Sequence, residues 1–314
     1  MKKQIFTTGF VLFSFLLPLK ATAASFSQLY VFGDSLSDTG NSFQATGIPP
    51  SPPNFEGRFS NGLVWVEYLA DDLGLSQNQL TNYAFGGATT GSANPLIPGV
   101  EGLPGLEQQI DSFTATNQSA DPNALYVVWA GANDYLSGNT INPAVPVNNL
   151  STAVSSLANS GAENIMVVNL PDLGKIPATN SVPQISTTLN TVSAVHNAGL
   201  SASLDVLSQQ TDTNIIQVDV NSLFNRAIAH PAEFGFTNVT DACLTDDNSV
   251  CSNPNEYLFW DAIHPTTKAH QLVGELALSA IESEAVPEPS TALGLFAVGA
   301  LGASLHKKRA RRKL

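Results

Sequence analysis

A serine near the start of the chain and an Asp-x-x-His run near its other end carry the residue types of a hydrolytic triad. Ser35 lies in the run Gly33-Asp34-Ser35-Leu36, and Asp261 and His264 stand three positions apart. A serine hydroxyl is a weak nucleophile, so it needs an imidazole to take its proton and a carboxylate to orient that ring. One helical turn or tight loop would place the Asp and His side chains on one face. Taken singly, each motif is more typical of a turn or a helix N-terminus than of catalysis.

Two further runs contain groups that could stabilise an oxyanion. Gly86 and Gly87 follow a β-like run, and paired glycines let a backbone amide approach a substrate closely. Asn133, in a Gly-Ala-Asn-Asp run, carries a neutral amide donor of the kind found in oxyanion holes. A tight turn and an Asx-type cap are the plain structural alternatives for these two runs. The other four histidines have no comparable setting and are interpreted as ordinary helix, loop or tail residues: His196, His230, His270 and His306.

The elements that must position these groups alternate along the chain. Short β-branched or aromatic runs that end at Gly, Asn or Asp predict buried parallel strands, and periodic apolar segments between them predict helices. This alternation predicts an α/β fold, a parallel sheet with helices on both faces, in which ligands bind beyond the carboxyl ends of the strands. Pro265 suits the first turn of the last helix. The predicted strands are Leu29–Phe32, Leu80–Phe85, Leu125–Ala130, Ile165–Leu170 and Ile215–Val220, and the predicted helices are Val64–Leu73, Leu106–Thr114, Val147–Ser160, Ser186–Gln210 and Thr266–Glu282.

The two ends of the chain indicate export. Lys2 and Lys3 precede an apolar stretch, which is followed by Ala21-Thr22-Ala23. This is the form of a signal peptide that is cleaved after residue 23. Cleavage is favoured over a membrane span because the apolar part is short. At the other end, Pro287-Glu288-Pro289 precedes an apolar stretch from 292 to 305 and a basic cluster. A permanent tail anchor is the alternative there, although about 14 apolar residues fall short of the ~20 that span a bilayer comfortably.

Without these ends, the charge of the chain is strongly negative. Four basic residues then face 25 acidic ones, a formal charge near −21. Nucleic acid is therefore excluded as a ligand class, since no basic surface remains to neutralise phosphates, and polyanionic substrates are disfavoured. Cys243 and Cys251 form one even pair at short range, which in an exported protein predicts a disulfide closing a surface loop. Two free thiols are the alternative.

Taken together, four of these runs resemble the blocks of the GDSL family of SGNH hydrolases, in the family's order and wide spacing. The resemblance implies a three-layer α/β/α, flavodoxin-like fold with a central, mostly five-stranded parallel sheet. It also implies Ser35 as nucleophile, Gly87 and Asn133 joining the Ser35 amide in the oxyanion hole, and His264 as the base oriented by Asp261. The runs 57–62 and 235–243 are also similar to bacterial and plant members, and the resemblance covers residues 29 to about 283. No metal or organic cofactor is implied.

The carboxyl-terminal segment resembles the bacterial PEP-CTERM sorting tail, which implies processing by an exosortase-type enzyme and membrane contact through the tail. The sequence therefore divides into a signal peptide at 1–23, a hydrolase domain at 24–285 and a sorting tail at 286–314. The expected function is an exported serine esterase or lipase working through an acyl-enzyme in the periplasm, at the cell surface or outside the cell. A surface-displayed binding or matrix protein is the alternative from another class. Among enzymes, a phospholipase, thioesterase or carbohydrate deacetylase would share this machinery.

Overall fold

The computed structural model describes residues 25–284 apart from 98, 100, 101, 118 and 139. The predicted signal peptide and sorting tail therefore lie outside the described residues. Within the described part of the chain, no helix has both the length and the apolarity that a bilayer crossing requires.

Five parallel strands form the central sheet, in the spatial order β2-β1-β3-β4-β5. The middle strands are β-branched and aromatic runs buried on both faces, which is the composition that parallel sheets require. In the register of the two central strands, Leu29 pairs with Leu125 and Gly33 with Trp129. The strand bounds are β1 Leu29–Gly33, β2 Leu80–Asn82, β3 Leu125–Trp129, β4 Asn164–Val168 and β5 Asn214–Val218. A separate two-stranded sheet pairs β6 (Asn238–Ala242) with β7 (Tyr257–Phe259).

Helices cover both faces of the sheet and make a three-layer arrangement. Successive strand residues point to opposite faces, so Val127 joins the apolar core on one side and Val128 the core on the other. The helices α2, α8 and α9 pack on the first face, and α3, α5 and α7 on the second. The helix bounds are α1 Asn41–Thr46, α2 Trp65–Asp72, α3 Leu106–Thr116, α4 Ala132–Leu136, α5 Ala144–Asn159, α6 Pro177–Asn180, α7 Pro183–Gln210, α8 Val220–Ala229 and α9 Thr267–Glu284.

The predicted α/β fold is confirmed, while several element ends differ from the expectation. Strand β2 stops at Asn82, whose Oδ1 accepts from the Ala84 amide at 2.8 Å. The last predicted strand extends to Val220, whereas β5 ends at Val218. The Asp219 carboxylate accepts from Ser222 N and starts α8 at Val220. The helices α1, α4, α6 and α8, and the small second sheet, were not predicted.

The loop between β7 and α9 differs from the expectation in one detail that matters for the site. Pro265 is not in the first turn of α9, which begins at Thr267. Instead, Pro265 lies opposite Phe259 in an isolated antiparallel bridge, and Trp260 N donates to His264 O at 2.7 Å. The segment between these residues is therefore a tight loop that folds back on the end of β7.

Candidate active site

Ser35 lies in a single helix-like turn directly after the central strand β1. Asp34 O accepts from Ser37 N at 3.0 Å and from Asp38 N at 3.1 Å, which closes the turn. The regular helix α1 begins only at Asn41, so the turn stands apart from it. Because β1 is an interior strand of the sheet and Ser35 follows its carboxyl end, the hydroxyl lies where ligands bind in parallel α/β folds.

The structure brings Ser35, His264 and Asp261 into hydrogen-bonding contact. Ser35 Oγ lies 2.8 Å from His264 Nε2, although the two residues are 229 positions apart in the chain. His264 Nδ1 lies 2.7 Å from Asp261 Oδ2 and 2.9 Å from Oδ1. With the ring proton on Nδ1, the imidazole donates to the carboxylate and offers Nε2 as acceptor to the serine hydroxyl. This arrangement can activate a serine as a nucleophile.

The tight loop itself orients the acid. Asp261 Oδ1 accepts from the amides of Ile263 at 2.8 Å and His264 at 2.7 Å. Burial alone would raise the pKa of Asp261, but the adjacent His264 charge and these hydrogen bonds outweigh it, so the pKa lies below its usual value. Burial lowers the pKa of His264, but the Asp261 charge and hydrogen bond outweigh burial and raise it. The carboxyl is thus kept ionised beside the ring that it orients.

The Asn133 side chain contacts residues adjacent to the other two predicted oxyanion donors, Ser35 and Gly87. Asn133 Nδ2 donates to Ala88 O at 3.0 Å and lies 3.5 Å from Asp34 Oδ2, so its amide spans the residues next to Gly87 and Ser35. Among the described residues, no oxygen accepts a hydrogen bond from the backbone amides of Ser35 or Gly87. Two unpaired amides and one side-chain amide are the donors that a tetrahedral oxyanion needs.

Gly87 occupies a backbone position that other residues would not tolerate. Its φ is +77°, in the left-handed region, and a Cβ there would lie 2.6 Å from Asn94 Oδ1 and 2.7 Å from Leu96 Cβ. The expectation of a tight turn with close backbone approach therefore agrees with the geometry. A tight turn at Gly87 is also compatible with the expected role of its amide as an oxyanion donor.

Asp34 also lies at this site, although no role was predicted for it from the sequence. Its side chain is buried, accepts from Leu36 N at 3.0 Å and lies beside Asn133. Burial raises the pKa of Asp34 to about 7, against the opposing effects of the Leu36 hydrogen bond and the His264 charge. Its position directly before Ser35 was the signal available in the sequence.

An apolar cleft opens beside Ser35 and Asn133. Apart from Asp34 and these two residues, its lining is almost wholly aliphatic, aromatic or proline: Leu36, Trp129, Ala132, Leu136, Pro171, Leu173, Ile176, Phe224, Phe259, Ile263 and Pro265. Two aromatic residues, Trp129 and Phe259, line the cleft while also being buried in the core. Tyr135 and Trp260 are buried away from the lining, and each uses its polar atom in a hydrogen bond.

The other histidines differ from one another in their surroundings. His196 and His270 are fully buried, which the interpretation as ordinary helix residues did not anticipate. Burial lowers the pKa of His196 to about 4 and that of His270 to about 3, so both rings are neutral at pH 7. His230 is exposed after α8, as expected for a loop residue, and His306 lies outside the described residues.

The two cysteines form the predicted disulfide. The sulfur atoms of Cys243 and Cys251 lie 2.03 Å apart, and Cys251 N donates to Cys243 O at 2.8 Å. The bridge closes an exposed, acidic loop after β6, as the spacing predicted.

Two family models match the chain. A model described as GDSL-like Lipase/Acylhydrolase matches residues 29–277, and a model of the PEP-CTERM protein-sorting motif matches residues 285–309. The first match includes all five residues predicted to form the triad and the oxyanion hole.

Several curated relatives are similar over most of this chain. The phosphatidylcholine-sterol acyltransferase of Aeromonas hydrophila is 31% identical, over 83% of this chain and 91% of the relative. The thermolabile hemolysin of Vibrio parahaemolyticus is 31% identical, over 80% of this chain and 63% of the relative. The GDSL esterase/lipase APG of Arabidopsis thaliana is 26% identical, over 85% of this chain and 95% of the relative.

Solved structures of esterases are also similar. The inhibitor-bound aryl esterase of M. smegmatis matches at 18% identity with a TM-score of 0.47, covering 82% of this chain and 97% of that one. The carbohydrate acetylesterase Est24 from Sinorhizobium meliloti matches at 16% identity with a TM-score of 0.49, covering 82% and 98%.

Proposed function

Because this chain belongs to the GDSL-like lipase and acylhydrolase family and is a serine hydrolase of ester bonds, we propose that Ser35 is its nucleophile, with His264 as base and Asp261 as orienting acid. The observation that carries the proposal is the 2.8 Å contact between Ser35 Oγ and His264 Nε2. A nucleophile within hydrogen-bonding reach of a base, itself held by a third group, is the geometry of this reaction class.

In the first half of the reaction, Ser35 Oγ attacks the ester carbonyl while His264 Nε2 takes the hydroxyl proton. The carbonyl oxygen becomes an oxyanion and accepts hydrogen bonds from the Ser35 and Gly87 amides and the Asn133 side chain. The imidazolium is stabilised by Asp261, and it then protonates the departing alcohol oxygen as the carbon–oxygen bond breaks. The acyl group remains on Ser35 as an ester.

The second half repeats these steps with water. His264 takes a proton from water as its oxygen attacks the acyl carbon, and the same three donors stabilise the second oxyanion. The bond to Ser35 Oγ breaks, the oxygen regains a proton from His264, and the carboxylic acid leaves. The protein ends the cycle in its starting protonation state.

We assign the apolar cleft to the acyl group of the substrate. The cleft adjoins Ser35 and Asn133, so an acyl chain entering it would leave its carbonyl beside the nucleophile. Since burying each methylene contributes about 0.8 kcal/mol, an apolar lining favours acyl chains longer than acetyl. This lining supports an esterase or lipase over a carbohydrate deacetylase.

The sorting motif indicates export and exosortase-dependent sorting to the cell envelope. We propose that residues 1–23 are removed on export, that residues 24–285 form the hydrolase domain and that residues 286–314 form the processed tail. The enzyme would then act in the periplasm or at the cell surface, close to a membrane that the tail contacts.

A panel of chromogenic esters with increasing acyl length tests the proposal, with Ser35→Ala as the inactive variant. We expect hydrolysis that rises beyond acetyl and is abolished in Ser35→Ala, while Ser112→Ala, a change at an exposed helix serine, leaves it intact. A fluorophosphonate probe should label the wild type at Ser35. Retained hydrolysis in Ser35→Ala would refute the assignment, and a folded wild type that neither hydrolyses nor labels would favour the binding-protein alternative.

A further inference from the structure

The segment from Asn54 to Asn61 is bound to the loop that carries Asp261 and His264. Trp260 Nε1 donates to Asn54 Oδ1 at 2.8 Å, and Ser60 Oγ donates to Pro265 O at 3.0 Å. Both bonds are buried, and the partners lie more than 200 positions apart. Buried bonds between such distant segments hold them in one relative position, because breaking either would leave a polar group unpaired.

A third bond fixes the other end of the loop. Thr267 N, at the start of α9, donates to Asn61 Oδ1 at 2.9 Å. Asn54 therefore holds the loop before the catalytic pair, and Ser60 and Asn61 hold it after the pair. We call these three residues the brace.

Phe59 lies within the brace and faces the base. Its ring centroid is 5.1 Å from that of His264, with an angle of 37° between the rings, and its side chain is 6% exposed. The same ring also contacts the turn that presents Gly87, because a Cβ on Gly86 would lie only 2.4 Å from Phe59 Cζ. Phe59 thus contacts both the base and the turn that presents Gly87.

We propose that Phe59 is a positioning residue that sets the distance between the His264 imidazole and the Gly86–Gly87 turn. The brace holds Phe59, and Phe59 in turn limits the movement of the imidazole toward the turn. This proposal rests on the assignment of His264 as base and Gly87 as oxyanion donor. Displacing a reacting group by about 1 Å can cost about 10²-fold in rate, so a spacer of this kind has a measurable effect on turnover.

The groups that face His264 determine what the pH dependence reports. Asp261 contacts its Nδ1, Asp34 acts on it from the turn after β1, and His270 on α9 is neutral at pH 7. None of these groups is altered by a substitution at Phe59. Removing the Phe59 ring relieves the burial that lowers the pKa of His264 and also screens the Asp261 charge that raises it. These two effects oppose each other, so the test rests on kcat and KM.

The test compares Phe59→Leu and Phe59→Ala with Phe55→Leu, a matched change at an exposed aromatic residue four positions earlier. With a soluble ester from the panel, we expect Phe59→Ala to lower kcat by about tenfold or more with KM nearly unchanged. Phe59→Leu should give a smaller loss of kcat, and Phe55→Leu none. An unchanged kcat, or a fall in kcat/KM that comes from KM alone, overturns the proposal. If Phe59→Ala fails to fold, Phe59→Leu decides by the same criteria.

Enlarging the side chain at position 86 and reducing the one at position 59 gives an independent test through kcat. Gly86→Ala should lower kcat, because its methyl group must displace the Phe59 ring. Adding Phe59→Leu to Gly86→Ala should recover part of the loss, since the smaller side chain makes room. Rate losses that simply multiply in the double variant overturn the proposal. An active Ser35→Ala would instead overturn the proposed function, so the two failures are distinguishable.

Discussion

The buried Asp34 carboxyl should make the protein less stable at alkaline pH, and Asp34→Asn should remove that loss. The side chain is 2% exposed, and burial raises its pKa from 3.8 to about 7. The unfolded chain therefore releases this proton more readily than the folded protein does. The contribution of Asp34 to the free energy of unfolding is fully present below the pKa that this carboxyl has in the unfolded chain. The contribution declines as pH rises, until the carboxyl of the folded protein also ionises near pH 7.

The size of the effect follows from the shift. A difference of about 3 pKa units corresponds to about 4 kcal/mol, at about 1.4 kcal/mol per unit. Roughly a third of this is already lost at pH 5, because the unfolded carboxyl is ionised there. Between pH 5 and pH 8 the remaining loss is about 3 kcal/mol, which is a large fraction of the stability of an ordinary domain.

Urea unfolding of the wild type and Asp34→Asn at pH 5 and pH 8 measures this directly. The variant should gain about 3 kcal/mol relative to the wild type between the two pH values. Titrating groups that do not interact with Asp34 cancel in the comparison, since both proteins share them, whereas His264 loses the charge of Asp34 that raises its pKa. Asp247→Asn, a change at an exposed aspartate, is the control and should show no such gain. An equal pH dependence in the wild type and Asp34→Asn would refute the view that Asp34 is buried with a raised pKa.

The remaining predictions concern the oxyanion donor, the orienting acid and the disulfide. Asn133→Ala should lower kcat by roughly 10² to 10³ with little change in KM, because its amide contacts the substrate only as the oxyanion forms; an unchanged kcat would exclude this role. Asp261→Asn should lower kcat by about 10⁴ through the wrong imidazole tautomer, and wild-type turnover in this folded variant would contradict the triad. Replacing Cys243 and Cys251 by serine should reduce the free energy of unfolding by about 2–3 kcal/mol, measured by urea denaturation without reductant; an identical unfolding midpoint would show that the loop needs no bridge.

The sequence predicted the layers of the fold because their signals are local. Apolar runs such as Leu125–Trp129 are buried on both faces, and that requirement is written directly in their composition. The ends of elements depended on side-chain bonds between segments. Asp219 starts α8 at a residue that the pattern alone assigned to a strand, since a capping bond has no periodic signal.

For the candidate site, the sequence determined which groups could act, and the tertiary structure decided how they meet. The Gly-Asp-Ser and Asp-x-x-His runs indicated Ser35, Asp261 and His264 as chemical types, and their resemblance to known blocks supplied the roles. The 2.8 Å contact between Ser35 Oγ and His264 Nε2 joins residues 229 positions apart. It depends on how the end of β1 packs against the loop after β7, which neither sequence motif predicts by itself. The raised pKa of Asp34 and the position of Phe59 likewise arise from burial and from neighbours distant in the chain, which is why only the folded structure revealed them.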